Sequence, residues 1–324
     1  MPYNETTAST EWAIPIVTEA NTQVSKYKRA TVEELYTWII TEMEEACPLL
    51  KEREEHRMRC YKATGYALLG KVYFQMGKYE KALEPLRISY RLLQGDPNVY
   101  LTDYKNKQAS FGYTEMGMME IMSFIPFVYS DNETLYCKFN PTMRNYYLPY
   151  YNMAPTDYLK PEIYVLFSEK DLRRNLISTK NTLGESLPYP YCGALGAHTN
   201  LGCALPEVYL MLAECEARAG SESEAKRILK EFRSYRLLDG YEDVPASVKT
   251  KEELIRFCVE EQTREFVGTG YRFYNVRRLW NDPLFQDWKP ITHTVGKQVF
   301  TLREAQLKIA YPKTILNWNE DWKK

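Results

Sequence analysis

Apolar residues recur at helical spacing from position 31 onward, whereas residues 1–30 show no helical period. Thr31 and Glu34 have the spacing of a capping box, in which the hydroxyl and the carboxylate satisfy free amides at a helix start. Apolar positions then follow at i, i+4 spacing: Leu35, Ile39, Met43 and Ala46. The pattern predicts an extended lead-in over residues 1–30 and a helix that ends near Pro48.

A pair of antiparallel helices is predicted next. Gly70 and Ala82 are small residues twelve positions apart, and Gly77 lies between them. Two helices approach closely only where small residues lie at the crossing, and glycine lets the chain reverse between them. The apolar faces comprise Ala63, Ala67, Tyr73 and Phe74 before the turn and Leu86 and Tyr90 after it. This spacing resembles a tetratricopeptide helix pair.

A second copy of the pattern lies further along the chain. Leu205–Arg218 is predicted to form one helix and Ala219-Gly220 the turn, and Ser221 with Glu224 caps the next helix. Ala213 and Ala225 repeat the separation of twelve residues. Helix pairs of this kind cannot bury both faces alone, so we expect the two pairs to stack.

Two more helices are predicted after the second pair. One begins at Thr250, which has Glu253 three residues later, and runs toward Phe266 before Gly268 and Gly270. The last one carries Phe273, Val276 and Trp280. Arg264, Glu265 and Arg272 are expected to form ion pairs between helices, with their stems packed on aromatic rings.

Residues 96–204 separate the two pairs and are rich in proline, with possible short strands at Glu120–Val128 and Leu135–Phe139. A structureless segment of this length would be improbable in a compact domain, so we expect it to fold onto the helices and carry a specific function. The fold class is therefore a mostly α single domain over residues 1–324, with irregular tetratricopeptide-like pairs and a loop-rich insert. Its parts are a helical scaffold (31–95 and 205–280), the insert (96–204) and a C-terminal tail (281–324).

Charge argues against a nucleic-acid binder, and hydropathy argues against a membrane-spanning helix. The 42 basic and 43 acidic residues argue against nucleic acid as the main partner, because a phosphate-backbone binder normally needs a basic surplus. No window approaches the ~20 continuous apolar residues of a membrane-spanning helix. The first residues also lack the basic region and apolar run of a signal peptide.

The residues that commonly carry catalysis do not form a known constellation. The sequence contains no nucleophile elbow, P-loop or HExxH motif, and Glu260 and Glu261 point in different directions on a helix. His56 lies in a charged run, and His293 has no clear partner. None of the seven cysteines forms a CxxC pair, so no metal or other cofactor is predicted.

Only Cys192 and Cys203 share a loop. A disulfide between them is possible, and the sequence does not decide it.

Five segments resemble the SusD/RagB family. They are LPEVYLMLAECEARAG (Leu205–Gly220), EEQTREFVGTGYRFYNVRRLW (Glu260–Trp280), KDLRRNLI (Lys170–Ile177), YPKTILNWNEDW (Tyr311–Trp322) and YKATGYALLGKVYFQMGKYEKAL (Tyr61–Leu83). Their order and spacing make the resemblance fairly specific. Asn275 stands where the family usually has an acidic residue, so a local ion pair is expected to be missing there.

The resemblance implies a fold, a location and a partner. Members of this family are outer-membrane surface lipoproteins that bind oligosaccharides, or in some cases peptides, as lids over a SusC-like TonB-dependent transporter, and they catalyse nothing. Their tetratricopeptide-like helices face the transporter, and the loop-rich remainder binds the ligand. The usual lipidated N-terminal part has no counterpart here, so the chain is expected to start inside the family's length, with its membrane link through a lipid anchor that this chain does not contain.

Tyrosine-rich loops are the candidates for the ligand surface. Sugar binding needs flat aromatic faces flanked by amide and hydroxyl groups, and the 27 tyrosines outnumber 12 phenylalanines and 6 tryptophans. Tyrosines of the helix pairs are expected to belong to the scaffold: Tyr66, Tyr73, Tyr79 and Tyr209. The remaining clusters give the predicted ligand-binding residues: Tyr146, Tyr147, Tyr150, Tyr151, Tyr189, Tyr191, His198 and Asn200.

The function expected from the resemblance is non-catalytic capture of a glycan at the cell surface and its delivery to the transporter. Three alternatives stay open. They are a peptide-binding member of the same family, a cytosolic tetratricopeptide scaffold that binds other proteins, and a glycoside hydrolase.

Overall fold

A computed structural model describes residues 2–21, 23–24, 26–56, 59–108, 131–138, 159–180, 186–191 and 202–323. The helices of this part of the chain, in order, are α1 (Val32–Ala46), α2 (Lys62–Gln75), α3 (Tyr79–Leu93), α4 (Tyr104–Gln108), α5 (Pro161–Tyr164), α6 (Leu205–Ala219), α7 (Glu222–Ser234), α8 (Lys251–Glu265), α9 (Tyr271–Leu279) and α10 (Lys313–Trp318). Short 3₁₀ turns lie at Cys47–Leu49, Leu172–Leu176, Pro283–Trp288, Glu304–Leu307 and Glu320–Lys323. The strands are β1 (Thr134–Tyr136), β2 (Ser178–Lys180), β3 (Ser186–Tyr191), β4 (Cys203–Ala204), β5 (Thr292–Val295) and β6 (Gln298–Thr301).

The start of α1 confirms the predicted capping box. Thr31 Oγ1 accepts a hydrogen bond from the Glu34 amide at 3.1 Å, and Glu34 Oε2 accepts one from the Thr31 amide at 2.7 Å. The helix ends at Ala46, just before the 3₁₀ turn that contains Pro48. The lead-in returns toward α1, since the Ala13 amide donates to the Ala30 carbonyl at 2.8 Å.

The first helix pair, α2 and α3, is packed as closely as its small residues predict. A Cβ atom added at Gly70 would lie 2.6 Å from Cγ of Leu86, which is fully buried on α3. Gly77 reverses the chain with a φ of 75°, in the left-handed region that favours glycine. The α2–α3 contact therefore depends on the missing side chain at position 70.

The second pair, α6 and α7, stacks on the first through contacts between α3 and α6, while α8 covers another side of α6. Because α6 is surrounded by helices, its residues from Leu205 to Ala217 are all buried, including three glutamates. The stacked helix pairs confirm the mostly α, tetratricopeptide-like fold.

The strands form three separate two-stranded antiparallel sheets in the described part of the chain. In the first, β1 pairs with β4, and the Leu205 amide donates to the Glu133 carbonyl at 2.7 Å. The predicted strand near 135–139 thus lies at Thr134–Tyr136, whereas Glu120–Val128 is outside the described residues. β2 pairs with β3, and β5 pairs with β6 inside the predicted C-terminal tail.

Candidate ligand-binding region

Arg236, two residues after the end of α7, joins the insert to the helical scaffold. Its side chain is fully buried, and Nη2 donates to Oε1 of Glu133 at 2.7 Å. Its Nη1 donates to the Thr102 carbonyl at 2.7 Å. Nε and Nη2 also bond Glu265 of α8 at 2.8–3.1 Å. One guanidinium thus joins α8 to two stretches of the insert.

A second buried arginine, Arg173, holds the segment that leads into β2. It pairs with Asp171 at 2.7 Å and with Glu265 at 3.0 Å. Its Nη2 atom also lies 2.5 Å from Oε1 of Glu261. Arg173 and Arg236 both pair with Glu265, so the two arginines belong to one buried network.

Glu261 lies at the centre of this network. Beyond Arg173, its Oε2 atom accepts from Arg233 and Arg264, each at 2.7 Å. Burial alone would raise the pKa of Glu261, but the three guanidinium groups hold it well below its usual range. Glu261 is therefore ionised and structural.

Glu133 behaves differently from Glu261. Burial raises its pKa to about 7, Arg236 acts against that rise, and the nearby Glu265 carboxylate adds to it. The carboxylate at the insert end of the network is therefore the one that titrates near neutral pH.

Beside this network lies the β2–β3 hairpin, which carries Tyr189. Ser178 is opposite Tyr191 in the ladder, and the Leu159 amide donates to the Pro190 carbonyl at 2.7 Å. The Tyr189 side chain is 50% exposed. The hairpin thus holds a half-exposed aromatic side chain on a backbone that is hydrogen-bonded to another segment of the insert.

The other predicted ligand residues divide into two groups. Tyr191 is described only through its backbone, as a residue of β3. The rest lie outside the described residues: Tyr146, Tyr147, Tyr150, Tyr151, His198 and Asn200. Cys192 is outside them too, so the disulfide with Cys203 stays undecided.

Two exposed tyrosines that the sequence analysis did not select lie near this network. One is two residues before Thr102, and the backbone carbonyl of the other accepts from Arg233 at 3.0 Å. Tyr100 is 48% exposed, and its hydroxyl accepts from the Asn132 amide at 2.6 Å. Tyr241 is 51% exposed, with Lys170 Nζ 5.5 Å from its ring centroid. Both stand alone in the sequence, so the search for tyrosine clusters missed them. A combination of aromatic and amide or ammonium groups is the chemistry that a polyhydroxylated ligand needs.

The tyrosines assigned to the scaffold do lie among the packed helices. Tyr73 and Tyr209 are buried, and Tyr66 and Tyr79 are half-buried against the same core. The Tyr209 hydroxyl donates to Glu231 at 2.7 Å. Tyr66 and Tyr73 also line a surface groove beside α1. This groove has a volume of about 430 Å³ and a largely apolar lining.

Among the described residues, Arg272 has no ion-pair partner of the kind expected. Its guanidinium stacks on Trp288 at 3.9 Å from the ring centroid, and Nη1 donates to Thr263 at 3.3 Å. An indole face stabilises a guanidinium without a carboxylate, which explains the difference. Arg264 and Glu265 do pair with partners, Glu265 across elements and Arg264 chiefly within α8.

Asn275 fills the position at which an ion pair was expected to be missing. It is fully buried, its amide donates to Gln262 at 2.8 Å, and its carbonyl oxygen accepts from Arg278 at 3.1 Å. Arg278 instead pairs with Glu214 at 2.7 Å. A neutral bridge thus replaces the acidic residue.

Every buried carboxylate that the structure describes lies within ion-pair distance of an arginine or lysine. In the same residues no group of three or more His, Cys, Asp or Glu could hold a metal ion. No helix among them has the length and apolar character to cross a membrane. The buried acids of these residues thus have charged partners within the fold.

Two family models match the chain. The model described as "SusD family" matches residues 205–319, and the model described as "Starch-binding associating with outer membrane" matches residues 7–74. No curated protein matches the chain.

Solved structures from Bacteroides share the fold. A SusD superfamily protein of Bacteroides thetaiotaomicron is 20% identical with a TM-score of 0.68, over 99% of this chain and 72% of its own. A SusD-like carbohydrate binding protein of Bacteroides vulgatus is 18% identical with a TM-score of 0.59, over 90% and 62%. Surface glycan-binding protein A of Bacteroides uniformis is 17% identical with a TM-score of 0.54, over 83% and 62%. The chain thus spans less than two thirds of the length of the last two.

The fold is that of a protein with stacked, irregular tetratricopeptide-like helix pairs and an insert held to them by buried ion pairs. The chain belongs to the SusD/RagB family, as the two family models show by together matching just over half of the chain. The structural neighbours show the same fold.

Proposed function

We propose that this protein binds an oligosaccharide at the cell surface, without catalysis, and delivers it to a SusC-like TonB-dependent outer-membrane transporter. The observation that supports this most is the half-exposed Tyr189 ring, held on a hairpin beside the buried arginine network. A sugar binds an aromatic face when the ring is fixed in place, because less conformational entropy is then lost. Family membership and the description of one matched model as starch-binding support the same ligand class.

Calorimetry with a panel of oligosaccharides and peptides tests the ligand class. We expect heat with at least one oligosaccharide. Heat with peptides alone would favour a peptide-binding member of the family.

The contribution of Tyr189 is tested by Tyr189→Ala. We expect the affinity for the bound oligosaccharide to fall roughly fivefold, because an aromatic contact is worth about 1 kcal/mol. Tyr274→Ala is the matched control, since Tyr274 is 46% exposed but lies on scaffold helix α9. Equal losses in both variants would place the ligand elsewhere.

The absence of catalysis is part of the proposal and has its own test. Incubation with the polysaccharide that contains the bound sugar should release no reducing ends. Release would favour the glycoside hydrolase alternative.

The transporter and the membrane location are proposed from the family. The upstream gene sequence tests the anchor, where we expect a signal that ends in a lipidated cysteine. A cytoplasmic start at Met1 would instead favour the cytosolic scaffold. Co-purification from outer membranes tests the transporter, which should elute with the protein after mild detergent extraction.

A further inference from the structure

The β5–β6 hairpin is an exposed element that the proposed function does not use. Its residues pair in a regular register from Thr292–Thr301 to Val295–Gln298, closed by a two-residue turn in which Gly296 has a φ of 60°. Three apolar side chains are more than half exposed: Val295 at 67%, Val299 at 65% and Phe300 at 53%. A two-stranded hairpin is marginally stable by itself, and exposed apolar side chains mark surfaces that bind other molecules. This hairpin therefore has the features of a surface that a partner covers.

The outer edge of β6 has backbone groups that can pair with another strand. The Leu302 amide donates to the Ile291 carbonyl at 2.8 Å, which makes these two residues a hydrogen-bonded pair. Pair types alternate along an antiparallel ladder, so Thr294 and Val299 form a non-hydrogen-bonded pair and their amides point outward. Among the described residues, no backbone hydrogen bond joins either strand to a third one.

Charge indicates which partner fits the β6 edge. Lys297 and Arg303 are exposed and flank β6 on both sides, and residues 288–303 contain no acidic residue. The nearest acidic residue before the hairpin, Asp287, is paired with Arg256 at 2.9 Å. A second copy of the hairpin would bring like charges together, which disfavours self-pairing.

A lipid surface fits the hairpin less well than a strand does. Unpaired amides and carbonyls at an open sheet edge are costly in a hydrocarbon layer, whereas an added strand satisfies them. We propose that β6 is a docking edge for an extended, acidic segment of a partner protein, which adds to β6 as a third strand. The partner's carboxylates pair with Lys297 and Arg303, and its apolar residues cover Val299 and Phe300.

Fluorescence anisotropy with labelled peptides tests this proposal on the full chain. The probe is a peptide of about eight residues that alternates Val and Glu, a usual strand length. We expect saturable binding, and binding at least about fivefold weaker for the Val–Lys peptide, in line with two surface ion pairs. Equal binding of the two peptides, or no binding of either, overturns the proposal.

Proline variants test whether the backbone edge of β6 is used. Val299→Pro removes an outward amide without breaking the β5–β6 ladder and should abolish binding of the Val–Glu peptide. Thr294→Pro makes the same change on the β5 edge and should leave binding unchanged. Melting curves check that both variants fold, and equal effects of the two prolines contradict the assignment.

Charge reversal separates the partner classes. Lys297→Glu should weaken Val–Glu binding and strengthen Val–Lys binding, whereas Lys251→Glu, an exposed position on α8, should change neither. Concentration-dependent dimerisation through the hairpin, or binding to phosphatidylglycerol vesicles with no peptide binding, would each overturn the proposal.

Discussion

Two regions of the helical scaffold are held together by different interactions. The α2–α3 pair relies on close apolar contact, with Gly70 against the buried Leu86. The region around α6 and α8 relies on buried charge, with Glu214 paired to Arg278 and Glu261 contacting three arginines. We therefore expect an added side chain at position 70 to destabilise the first region, and the loss of a charged partner to destabilise the second.

The difference follows from position in the stack. α6 contacts α3, α7 and α8, so even its polar positions have no solvent to face. Burying a carboxylate costs free energy unless a charged partner compensates it, and the neighbouring helices supply arginines. A helix at the centre of a stack can thus carry charged residues without having a solvated face.

The largest expected effect is the loss of Glu261. Glu261→Gln leaves the guanidinium groups of Arg173, Arg233 and Arg264 without their shared anion, so we expect the free energy of unfolding to fall by about 3–5 kcal/mol. Urea denaturation measures this loss. Glu260→Gln is the matched control, because its side chain is 48% exposed, and it should change stability by less than about 0.5 kcal/mol. Similar losses in both variants would mean that the network does not stabilise the fold.

A smaller loss is expected from Gly70→Ala. The new methyl group would meet Cγ of Leu86 at 2.6 Å and Cδ2 at 2.7 Å, so the α2–α3 contact must open at a cost of about 1–3 kcal/mol. Gly65→Ala is the comparison, because its methyl group would meet the flexible end of Leu50. Thermal unfolding should show a larger loss for position 70. The reverse order would contradict the close contact.

The pH dependence of stability is expected to have two limbs. Because the pKa of Glu133 is raised from 4.5 to about 7, the native state binds a proton that the unfolded state lacks, and this group adds stability as pH falls from above 7 toward 4.5. The pKa of Glu261 and that of Glu214 are lowered, so their stabilisation is present above 4.5 and is lost as pH falls further.

Glu133→Gln isolates the upper limb. Urea titrations between about pH 5 and 8 should give a flatter slope in this variant than in the unchanged protein, with the acid limb unaltered. An unchanged slope would show that Glu133 does not titrate in this range.

The smallest expected effect comes from the helix caps. Thr250→Ala removes the hydroxyl that accepts from the Glu253 amide and should cost about 1 kcal/mol. Thr31→Ala removes the same contact from α1 and should cost a similar amount, because capping is local and does not depend on the surrounding stack. Chemical denaturation compares the two, and a large difference would show that the caps are coupled to the core.

Much of the fold could be predicted because the helix signals are local. Capping boxes at Thr31 and Thr250, and glycines at 70 and 77, act within a few residues of themselves. The β5–β6 hairpin was not predicted, although THTV and QVFT alternate around a Gly-Lys turn that is typical of a hairpin.

The anchoring of the candidate site could not be predicted in the same way. Arg236 contacts Glu133 from 103 positions away, and periodicity carries no information on such pairs. For Tyr189, composition and a proline-rich context predicted an exposed aromatic, and its side chain is exposed. Its role in ligand binding stays a prediction.

The large sequence separation between Arg236 and its partners has a consequence for folding during synthesis. Its partners Thr102 and Glu133 precede it by 134 and 103 residues, so a ribosome that adds about 5–20 residues per second exposes them many seconds before their cation exists. The first helix pair can close during that interval, since the contact between α2 and α3 joins helices that are adjacent in sequence. The stretches around Thr102 and Glu133 cannot be held by Arg236 until α7 has emerged, and we therefore expect them to become protected from proteolysis only after that point in synthesis.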